Sequence, residues 1–485
     1  MNIHLKMVSS PLFSIKMNSD PVEITFRPIT IADKSLIQQY LRSGRTTCDW
    51  AFATLFCWQH AFGYQWAEVK GWLVIRCRIN GERRVGFMVM PRDASQPYVE
   101  IVPILSREAE RQRQPLLLVS LEENERRRLL QECPDCFVLD SNRDFQDYVY
   151  DREELATLRG RKFAPKRNHV NKFTRLYQYT YEPLQRKDFA ECLRLENVWR
   201  DQHNSQTDGL TAEQQAIRLA LDNYEALNLT GGVLRVEGDI VAFTYGSPLG
   251  PSLFCTHIEK ANVSYDGAYP MINYLFARHL PEQYTHINRE EDMGLPGLRK
   301  SKLSYMPVCL SPKYVALQMN DDMRDVKKVW KECFGDEDTF VNSFLARYYF
   351  PDCSYVHKED GHVVSMAFMV PCMSELGPTA YLYAIATLPQ YRSKGFAGRL
   401  VQDALSAAKQ RGFTVAMLIP EGSDLKVFYT CLGFQDVDIP VTITGDLDLG
   451  TGDESADRAM LAPLAEGLQL PESLSGLKIE LKSSL

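Results

Sequence analysis

A hairpin pattern recurs three times along this chain, and it restricts the folds that the chain can adopt. Each copy has a strand end of charged or polar residues, a tight turn with glycine, and an apolar strand with a small residue near its middle. The copies lie at residues 78–87, 235–243 and 358–366. Asn-Gly and Asp-Gly-type turns favour tight antiparallel hairpins. A longer strand and a helical segment follow each copy, so the repetition predicts three related units.

The length of 485 residues agrees with several units, because a chain this long is expected to form two to four domains. We predict an α+β fold, in which each unit is a mixed, mainly antiparallel sheet flanked by helices. A polar link with two prolines at 304–312 favours the second boundary. The predicted segments are a tail (1–19), three units (20–160, 161–314 and 315–470) and a C-terminal tail or final strand (471–485).

The composition excludes several classes of protein. Hydrophobic residues at 45% and charged residues at 24% are average for soluble globular proteins. No apolar run approaches the ~18 residues that a membrane helix needs, and the first sixteen residues lack the features of a secretory signal. A net charge of −7 argues against general nucleic-acid binding. We therefore expect a protein without a membrane span.

The twelve cysteines are scattered singly, apart from Cys133 and Cys136. A zinc site of the paired kind would need a second pair at similar spacing, and there is none. The pair is interpreted as a turn with ordinary thiols, so no metal site is predicted. Scattered free thiols suit a reducing compartment, and we expect a cytoplasmic location.

A short loop at 391–398, Tyr-Arg-Ser-Lys-Gly-Phe-Ala-Gly, lies between an apolar strand-like stretch and a helix-like stretch. A loop of this kind that opens a helix offers successive backbone N–H groups, and the positive end of the helix dipole attracts phosphate oxygens. Gly395 and Ala397 let a ligand approach the backbone closely. Arg392 and Lys394 add positive charge. The loop is interpreted as a pyrophosphate cradle, with a plain tight turn as the alternative.

The residues around this loop resemble the GNAT superfamily of acyl-CoA-dependent N-acyltransferases. After the helix come a second strand at 414–420 and the segment 426–434, which ends in Tyr-x-x-x-Gly-Phe. The resemblance implies acetyl-CoA, or another acyl-CoA, as the donor. It implies that Tyr429 lies near the thioester sulfur and protonates the leaving thiolate; a ring that packs under the last helix is the alternative. It also implies that the backbone of Ile385, Ala386 and Thr387 pairs with pantetheine, and that the pyrophosphate lies on Arg392, Ser393, Lys394, Gly395, Phe396, Ala397 and Gly398.

The middle unit departs from this pattern, because residues 260–270 contain no Arg-x-x-Gly-x-Gly/Ala and Asp266 would repel a diphosphate. Together with 161–173 and 287–305, this region resembles the C-terminal catalytic region of phosphatidylglycerol lysyltransferases over about 20–314. The resemblance implies a tandem pair of GNAT-like folds. The membrane-bound members transfer an aminoacyl group from charged tRNA to a lipid headgroup. No part of this sequence resembles their multi-spanning membrane region.

Two sets of residues in this region are candidates for binding. The run 159–175 has seven Lys or Arg and no acidic residue, with aromatic rings between them. It is predicted to hold tRNA phosphates or an anionic lipid headgroup, or else to be a solvated helix face. We expect His257 and Glu259 to share one face of a strand. The predicted substrate pocket, for which a buried ion-pair network is the alternative, consists of His257, Glu259, Lys260, Asn288, Glu290, Asp292 and Arg299.

The leading hypothesis is therefore an acyl-CoA-dependent N-acyltransferase, most simply an acetyltransferase, acting on a small-molecule or peptide amine through the C-terminal unit. A second hypothesis is an aminoacyl-tRNA-dependent transferase formed by the first two units. A third is that these two units are a binding module without catalysis.

Overall fold

The computed structural model describes residues 23–41, 45–79, 84–202, 208–445, 447–450, 458–468, 470 and 476–481. The predicted tail 1–19, the turn 80–83 and most of the segment 471–485 lie outside these residues. The described chain forms three mixed sheets flanked by helices, which confirms the predicted α+β class. One hydrophobic cluster contains residues from all three parts, among them Leu55, Leu195 and Trp330.

The first part of the chain alternates short helices with a sheet. Strand β3 is buried on both faces, since Trp72 and Val74 pack in one cluster and Leu73 and Ile75 in another. The elements are β1 (Arg27–Pro28), α1 (Lys34–Gln38), α2 (Phe52–Cys57), α3 (Gln59–Phe62), β2 (Gln65–Val69), β3 (Trp72–Ile79), β4 (Arg84–Pro91), α4 (Tyr98–Arg111), β5 (Leu117–Leu121), α5 (Glu123–Glu132) and β6 (Phe137–Asp140).

The middle part builds the second sheet. Its elements are β7 (Asp147–Asp151), α6 (Arg152–Thr157), α7 (Ala164–Leu176), β8 (Tyr179–Pro183), α8 (Phe189–Gln202), α9 (Asp208–Asp222), β9 (Thr230–Val236), β10 (Asp239–Pro248), β11 (Leu253–Ala261), α10 (Ala268–His279), β12 (His286–Asn288), α11 (Pro296–Leu303) and β13 (Cys309–Ser311). The strand order is β13-β7-β12-β11-β10-β9-β8, and only β11 and β12 pair in parallel.

The last part builds the third sheet, after a strand β14 (Tyr314–Gln318). Its elements are α12 (Asp321–Phe334), α13 (Asp338–Tyr348), β15 (Ser354–Glu359), β16 (His362–Ser374), β17 (Gly377–Thr387), α14 (Phe396–Gln410), β18 (Val415–Leu418), α15 (Ser423–Thr430), β19 (Gln435–Thr444), β20 (Arg458–Pro463) and β21 (Leu477–Leu481). The strand order is β15-β16-β17-β18-β20-β19-β21, with an extra pairing of β16 to β21. No helix among the described residues is long and apolar enough to cross a membrane.

The predicted hairpins are present. In the second and third, both central turn residues have positive φ: Glu237 (53°) and Gly238 (97°), then Asp360 (50°) and Gly361 (84°). This is the backbone of the tight turn that matches the twist of a two-stranded ribbon. Strands β3 and β4 form the first hairpin, and its turn lies in the segment 80–83 outside the described residues.

Two strands lie in different sheets from those that the predicted boundaries imply. Strand β7 precedes residue 160 but pairs with β12 and β13 of the second sheet. Strand β14 follows residue 313 but lies between β5 and β6 of the first sheet. Periodicity indicates that a segment is a strand without indicating its partner, so the exchange had no signal in the sequence.

Each of the last two sheets opens in the middle because one parallel pair is short. Strand β11 pairs with β12 only from Leu253 to Cys255, although β11 continues to Ala261. Strand β17 pairs with β18 only from Thr379 to Tyr381, although β17 continues to Thr387. The remainder of each long strand has no strand on that side among the described residues. Each sheet therefore opens beside its central strand, and this opening is termed the cleft of that sheet.

Buried charge attaches the third part to the first. Arg347 of α13 donates to Asp140 at the end of β6, with Nε–Oδ2 and Nη2–Oδ1 distances of 2.7 and 3.2 Å. Both residues are buried. Arg84 of β4 donates to the backbone carbonyls of Ala346 and Tyr349 at the end of the same helix. A buried guanidinium that loses its partner is expensive, so these contacts tie the two parts together.

We predict that Arg347→Ala lowers the free energy of unfolding by about 3–5 kcal/mol, because it leaves the Asp140 carboxylate buried without its partner. Urea denaturation followed by circular dichroism measures the change. Arg324→Ala is the matched control, since Arg324 makes an exposed pair with Asp321 and should cost less than about 1 kcal/mol. Equal losses for the two variants would contradict the prediction.

Candidate functional site

The cleft of the third sheet is bounded by a bulged strand. Met366 of β16 pairs with Ala386, whereas Phe368 pairs with Tyr383, so β17 contains an extra residue at this point. Ala384 accordingly has a φ of 49°. Bulges bend a strand and redirect its side chains, and they often lie beside active sites. Ile385, Ala386 and Thr387, which were predicted to pair with pantetheine, follow this bulge and border the cleft.

The loop after β17 leads into α14 without a side-chain cap. Ser393 and Gly395 have φ values of 63° and 76°, and Gly395 is the N-cap residue of α14. The first N–H groups of a helix have no acceptor within it, and no side chain occupies that role here. Arg392 Nε donates to the Thr387 carbonyl at 3.2 Å, which holds the loop against the end of β17. The predicted cradle thus lies at the mouth of the third cleft, and its role stays a prediction.

The side chains of this loop leave its backbone accessible. Arg392, Ser393, Lys394 and Gly395 are exposed, while Phe396 packs its ring against His357 with centroids 3.8 Å apart. A Cβ on Gly395 would meet only the Arg399 guanidinium, at 3.5 Å. The loop therefore offers a dipole end, open backbone and cations at one place, which are the groups that bind a diphosphate.

Tyr429 of α15 packs against strands β17 and β18 of the third sheet. Its ring belongs to a cluster with Leu382 of β17 and Leu418 of β18, and it lies edge-on to Phe428 at 5.0 Å between centroids. Its hydroxyl makes no hydrogen bond within the described part of the chain. Burial raises the pKa of Tyr429 to about 12, so the phenol stays protonated at neutral pH. Ring packing and a donor role are both compatible with this placement.

In the second sheet, helix α7 covers the place that corresponds to the cradle. Gly267 begins α10 with a φ of 92°, and a Cβ there would lie 2.7 Å from the His169 carbonyl oxygen of α7. Asp266 pairs with Lys172 of α7 and lies 3.8 Å from His169. A carboxylate and a helix thus occupy this position, which explains physically why the middle unit lacks the glycine-rich motif.

A bulge also interrupts β11. Tyr245 of β10 pairs with Ile258, whereas Gly246 pairs with Thr256, so His257 is the extra residue. The prediction that His257 and Glu259 share a face is wrong for this reason. His257 lies with Ile258 on the side of α2 and α9, whereas Glu259 accepts from Asn273 of α10 on the other side at 3.1 Å. The bulge shifts the alternation by one residue.

His257 is held by hydrogen bonds at both ring nitrogens. Its Nδ1 lies 2.9 Å from Glu290 Oε1, and its Nε2 lies 2.8 Å from Ser247 Oγ. Cys255 Sγ is 3.6 Å from Nδ1. Glu290 has a φ of 57°, an uncommon conformation for a residue with a side chain, and its N–H donates to Asn288 Oδ1 at 2.7 Å. The structure therefore brings His257, Asn288 and Glu290 together, and their role in a substrate pocket stays a prediction.

A second buried cluster lies beside this one and is centred on Lys313. The Lys313 ammonium is 2.7 Å from Asp49, 2.8 Å from Asp147 and 3.1 Å from Glu291. Asn288 Nδ2 donates to Asp147 at 2.8 Å and so links the two clusters. Burial raises the pKa of Asp147. Although burial acts in the same direction on Glu291, Lys313 holds the pKa of that carboxyl below its usual range.

The other predicted substrate residues belong to separate ion-pair networks. Glu259 binds Arg289 at 2.9 Å, and Lys260 lies between Glu213 at 2.7 Å and the Trp199 ring at 3.4 Å. Asp292 is buried and accepts from Arg299. Although burial opposes it, hydrogen bonding from Arg299 lowers the pKa of Asp292 to about 2. The alternative of structural ion pairs thus describes Glu259, Lys260, Asp292 and Arg299 better than one shared pocket.

The basic run forms α7 and the turn before it, and its cations differ in their partners. Lys162 pairs with Glu154, Lys172 with Asp266, and Arg167 donates to backbone carbonyls. Lys166 has no carboxylate in ion-pair contact among the described residues, and its ammonium lies 3.8 Å from the Tyr305 ring centroid. Burial and then Arg289 lower the pKa of Lys166 to about 8. Arg159, Arg161 and Arg175 of the run are exposed, whereas Lys166 is half-buried against the Tyr305 ring.

Several residues of these clusters were not predicted from the sequence. Ser247, Cys255, Asp49, Asp147 and Lys313 come from three strands, a turn and the link to β14. They are separated by long stretches of chain, so spacing does not join them. The exception is Cys255, which is two residues from His257 and shares its side of β11. That Cys-x-His spacing was the available signal.

Two family models match the chain, and both describe acyltransferases. The model for the C-terminal region of phosphatidylglycerol lysyltransferase matches residues 42–317, and the GNAT acetyltransferase model matches residues 315–436. The chain therefore belongs to the phosphatidylglycerol lysyltransferase C-terminal family and carries a GNAT domain after it. Both resemblances predicted from the sequence are confirmed.

Several solved structures are similar to parts of this chain. A conserved protein of unknown function from Bacteroides thetaiotaomicron is 39% identical; the match covers 61% of this chain and 100% of that chain, with a TM-score of 0.58. L-PGS from Bacillus licheniformis is 17% identical over 62% of this chain and 95% of that chain, with a TM-score of 0.47. A GNAT family N-acetyltransferase from Escherichia coli in complex with CoA is 16% identical over 34% and 86%, with a TM-score of 0.26. No curated protein matches.

Proposed function

We propose that the third unit transfers an acyl group, most simply acetyl, from a coenzyme A thioester to an amine. The observation that carries this proposal is that the free edge of β17 and the uncapped start of α14 meet at one mouth of the cleft. A strand edge without a partner presents N–H and C=O groups that an amide-containing arm can pair with. The helix start supplies the dipole and N–H groups for a diphosphate.

Different groups in the third cleft would contribute to different parts of the reaction. Backbone N–H groups beside the bulge at Ala384 would polarise the thioester carbonyl, and the neutral amine would attack it. Tyr429 would donate its proton toward the departing sulfur. Because the pKa of Tyr429 is about 12 and that of an ordinary thiol is about 8.5, complete transfer is uphill in water. A hydrogen bond that strengthens as charge develops on sulfur is the contribution that this phenol can make.

We predict that Gly395→Val weakens coenzyme A binding at least about tenfold, since a β-branched residue resists positive φ and fills the cradle. Calorimetry with coenzyme A measures the affinity and should give one site per wild-type chain. Gly412→Val is the matched control, because Gly412 has a φ of 79° at the other end of α14 with no atom near its Cβ.

Two results would speak against this assignment. Unchanged affinity of Gly395→Val for coenzyme A would show that the loop at 391–398 does not bind the ligand. Equal losses of affinity in both glycine variants would show that the effect comes from backbone strain. Two sites per chain would show that the second cleft also accepts coenzyme A despite α7.

We predict that Tyr429→Phe lowers kcat for acyl transfer about 10²-fold and leaves KM for the donor and the melting temperature nearly unchanged. The reason is that the hydroxyl makes no hydrogen bond within the described residues, so the packed ring is retained. Steady-state kinetics with thiol release as the readout tests this. Phe428→Leu is the control for packing. Full activity of Tyr429→Phe would leave Tyr429 as a core residue.

We propose as a second function that the first two units transfer an aminoacyl group from a charged tRNA to a lipid, peptide or small amine. The membership of residues 42–317 in a lysyltransferase family motivates it. The observation that favours it is that the Lys166 ammonium has no carboxylate in ion-pair contact within the described residues and lies 3.8 Å from the Tyr305 ring centroid. An ammonium of this kind can contribute to holding a tRNA phosphate.

We predict that Lys166→Gln weakens binding of aminoacyl-tRNA several-fold and reduces the salt slope of log K by about one. Filter binding over a series of salt concentrations measures both. Lys328→Gln is the control, because Lys328 lies on the exposed face of α12 in the third unit. If the wild-type protein does not bind charged tRNA, this second function is excluded.

A further inference from the structure

Three potential metal ligands meet beside the second cleft. Cys255 Sγ lies 3.6 Å from His257 Nδ1 and 3.9 Å from Glu290 Oε1, and Nδ1 lies 2.9 Å from Oε1. The three atoms come from a central strand and from the turn after the neighbouring strand β12. All three can reach a common point between them.

We propose that Cys255, His257 and Glu290 bind a divalent transition-metal ion of the zinc class, with at least one coordination position left for water or substrate. This goes beyond the proposed acyl transfer by coenzyme A, which involves a different cleft and no metal. It also departs from the expectation of no metal, which rested on the spacing of Cys133 and Cys136.

The distances fit a tetrahedral ion closely. Zinc binds thiolate sulfur at about 2.3 Å and imidazole nitrogen or carboxylate oxygen at about 2.0–2.2 Å, which separates neighbouring ligand atoms by about 3.3–3.6 Å. The sulfur–nitrogen distance of 3.6 Å already matches. The nitrogen–oxygen distance of 2.9 Å would open by a few tenths of an ångström, and the sulfur–oxygen distance of 3.9 Å would close by a similar amount.

The surroundings supply the support that a metal-bound histidine needs. With Nδ1 on the ion, Nε2 carries the proton and donates to Ser247 Oγ, which lies 2.8 Å away. A ligating histidine nearly always donates its other N–H in this way, and the bond fixes the ring. The side chain of Glu290 is directed by its backbone, which Asn288 Oδ1 holds through the Glu290 N–H. The site is thus oriented before any ion arrives.

The charge balance also favours a cation. The two linked clusters contain four carboxylates, those of Asp49, Asp147, Glu290 and Glu291. Lys313 forms ion pairs with three of them, at N–O distances of 2.7–3.1 Å. Glu290 has only His257 as an ion-pair partner within the described chain. A divalent ion at this position would neutralise the excess negative charge. In the adjacent cluster the Lys313 ammonium has that role.

The ligand types select the ion. Thiolate and imidazole suit zinc and its neighbours in the first transition row, whereas calcium and magnesium require oxygen ligands. Cobalt(II) replaces zinc in tetrahedral sites and reports a thiolate ligand through a charge-transfer band, so it serves as the probe.

The test measures metal uptake without reference to activity. Full-length protein is titrated with Co²⁺ and then Zn²⁺, and elemental analysis gives the zinc content after gel filtration. We expect about one ion per chain and a thiolate-to-cobalt band that zinc abolishes. Cys255→Ala should lose the band, and Glu290→Gln should weaken the affinity at least about tenfold. Cys48→Ala is the matched control, since Cys48 is equally buried beside Asp147 and Glu291 and should keep the band.

The proposal is overturned if wild-type protein shows no thiolate-to-cobalt band, because that result does not depend on any variant folding. It is also overturned if the band survives in folded Cys255→Ala or is lost in Cys48→Ala alone. Cys255→Ser replaces Cys255→Ala if the alanine variant melts early. The cluster would then be interpreted as a structural ion pair between His257 and Glu290.

Discussion

The early end of one parallel strand pair in a sheet determines where the candidate sites of this molecule lie. Backbone N–H and C=O groups demand partners, and a strand that outlasts its neighbour must find them elsewhere. In the third sheet β17 outlasts β18, and in the second β11 outlasts β12. The loop of α14, the bulges at Ala384 and His257, and the buried clusters all lie around these two openings.

The two openings differ in what lies at the start of the helix beside them. The third leaves the start of α14 uncovered and lined with Arg392 and Lys394. The second is covered by α7, whose His169 carbonyl approaches Gly267 and whose Lys172 pairs with Asp266. A related fold thus retains its architecture while the charges at one helix start differ, since the Asp266–Lys172 ion pair lies where the other cleft has Arg392 and Lys394. The coenzyme A loop of the third unit therefore has no counterpart in the second cleft.

Local patterns in the sequence predicted the fold well, because hairpin turns and glycine-rich loops depend on neighbouring residues. Gly238 and Gly361 indicated turns that the structure contains, and the loop at 391–398 indicated the start of α14. Non-local features were not predictable in this way. The exchange of β7 and β14 between sheets depends on which partner is available, and the meeting of Lys313 with Asp49 depends on two units packing together. A one-residue bulge at His257 was enough to make the expected face of Glu259 wrong.

The position of β14 has a consequence for how the chain reaches its native state. This strand completes the first sheet from between β5 and β6, yet it is synthesised after the whole second unit. The first sheet therefore lacks the strand between β5 and β6 until residue 318 has left the ribosome, and the long stretch of chain between β6 and β14 must be closed to supply it. Closing such a distance is slow, since the entropy of the loop is lost before the new hydrogen bonds form. The first two units should consequently fold as a single cooperative unit, whose formation is completed when β14 pairs with β5 and β6.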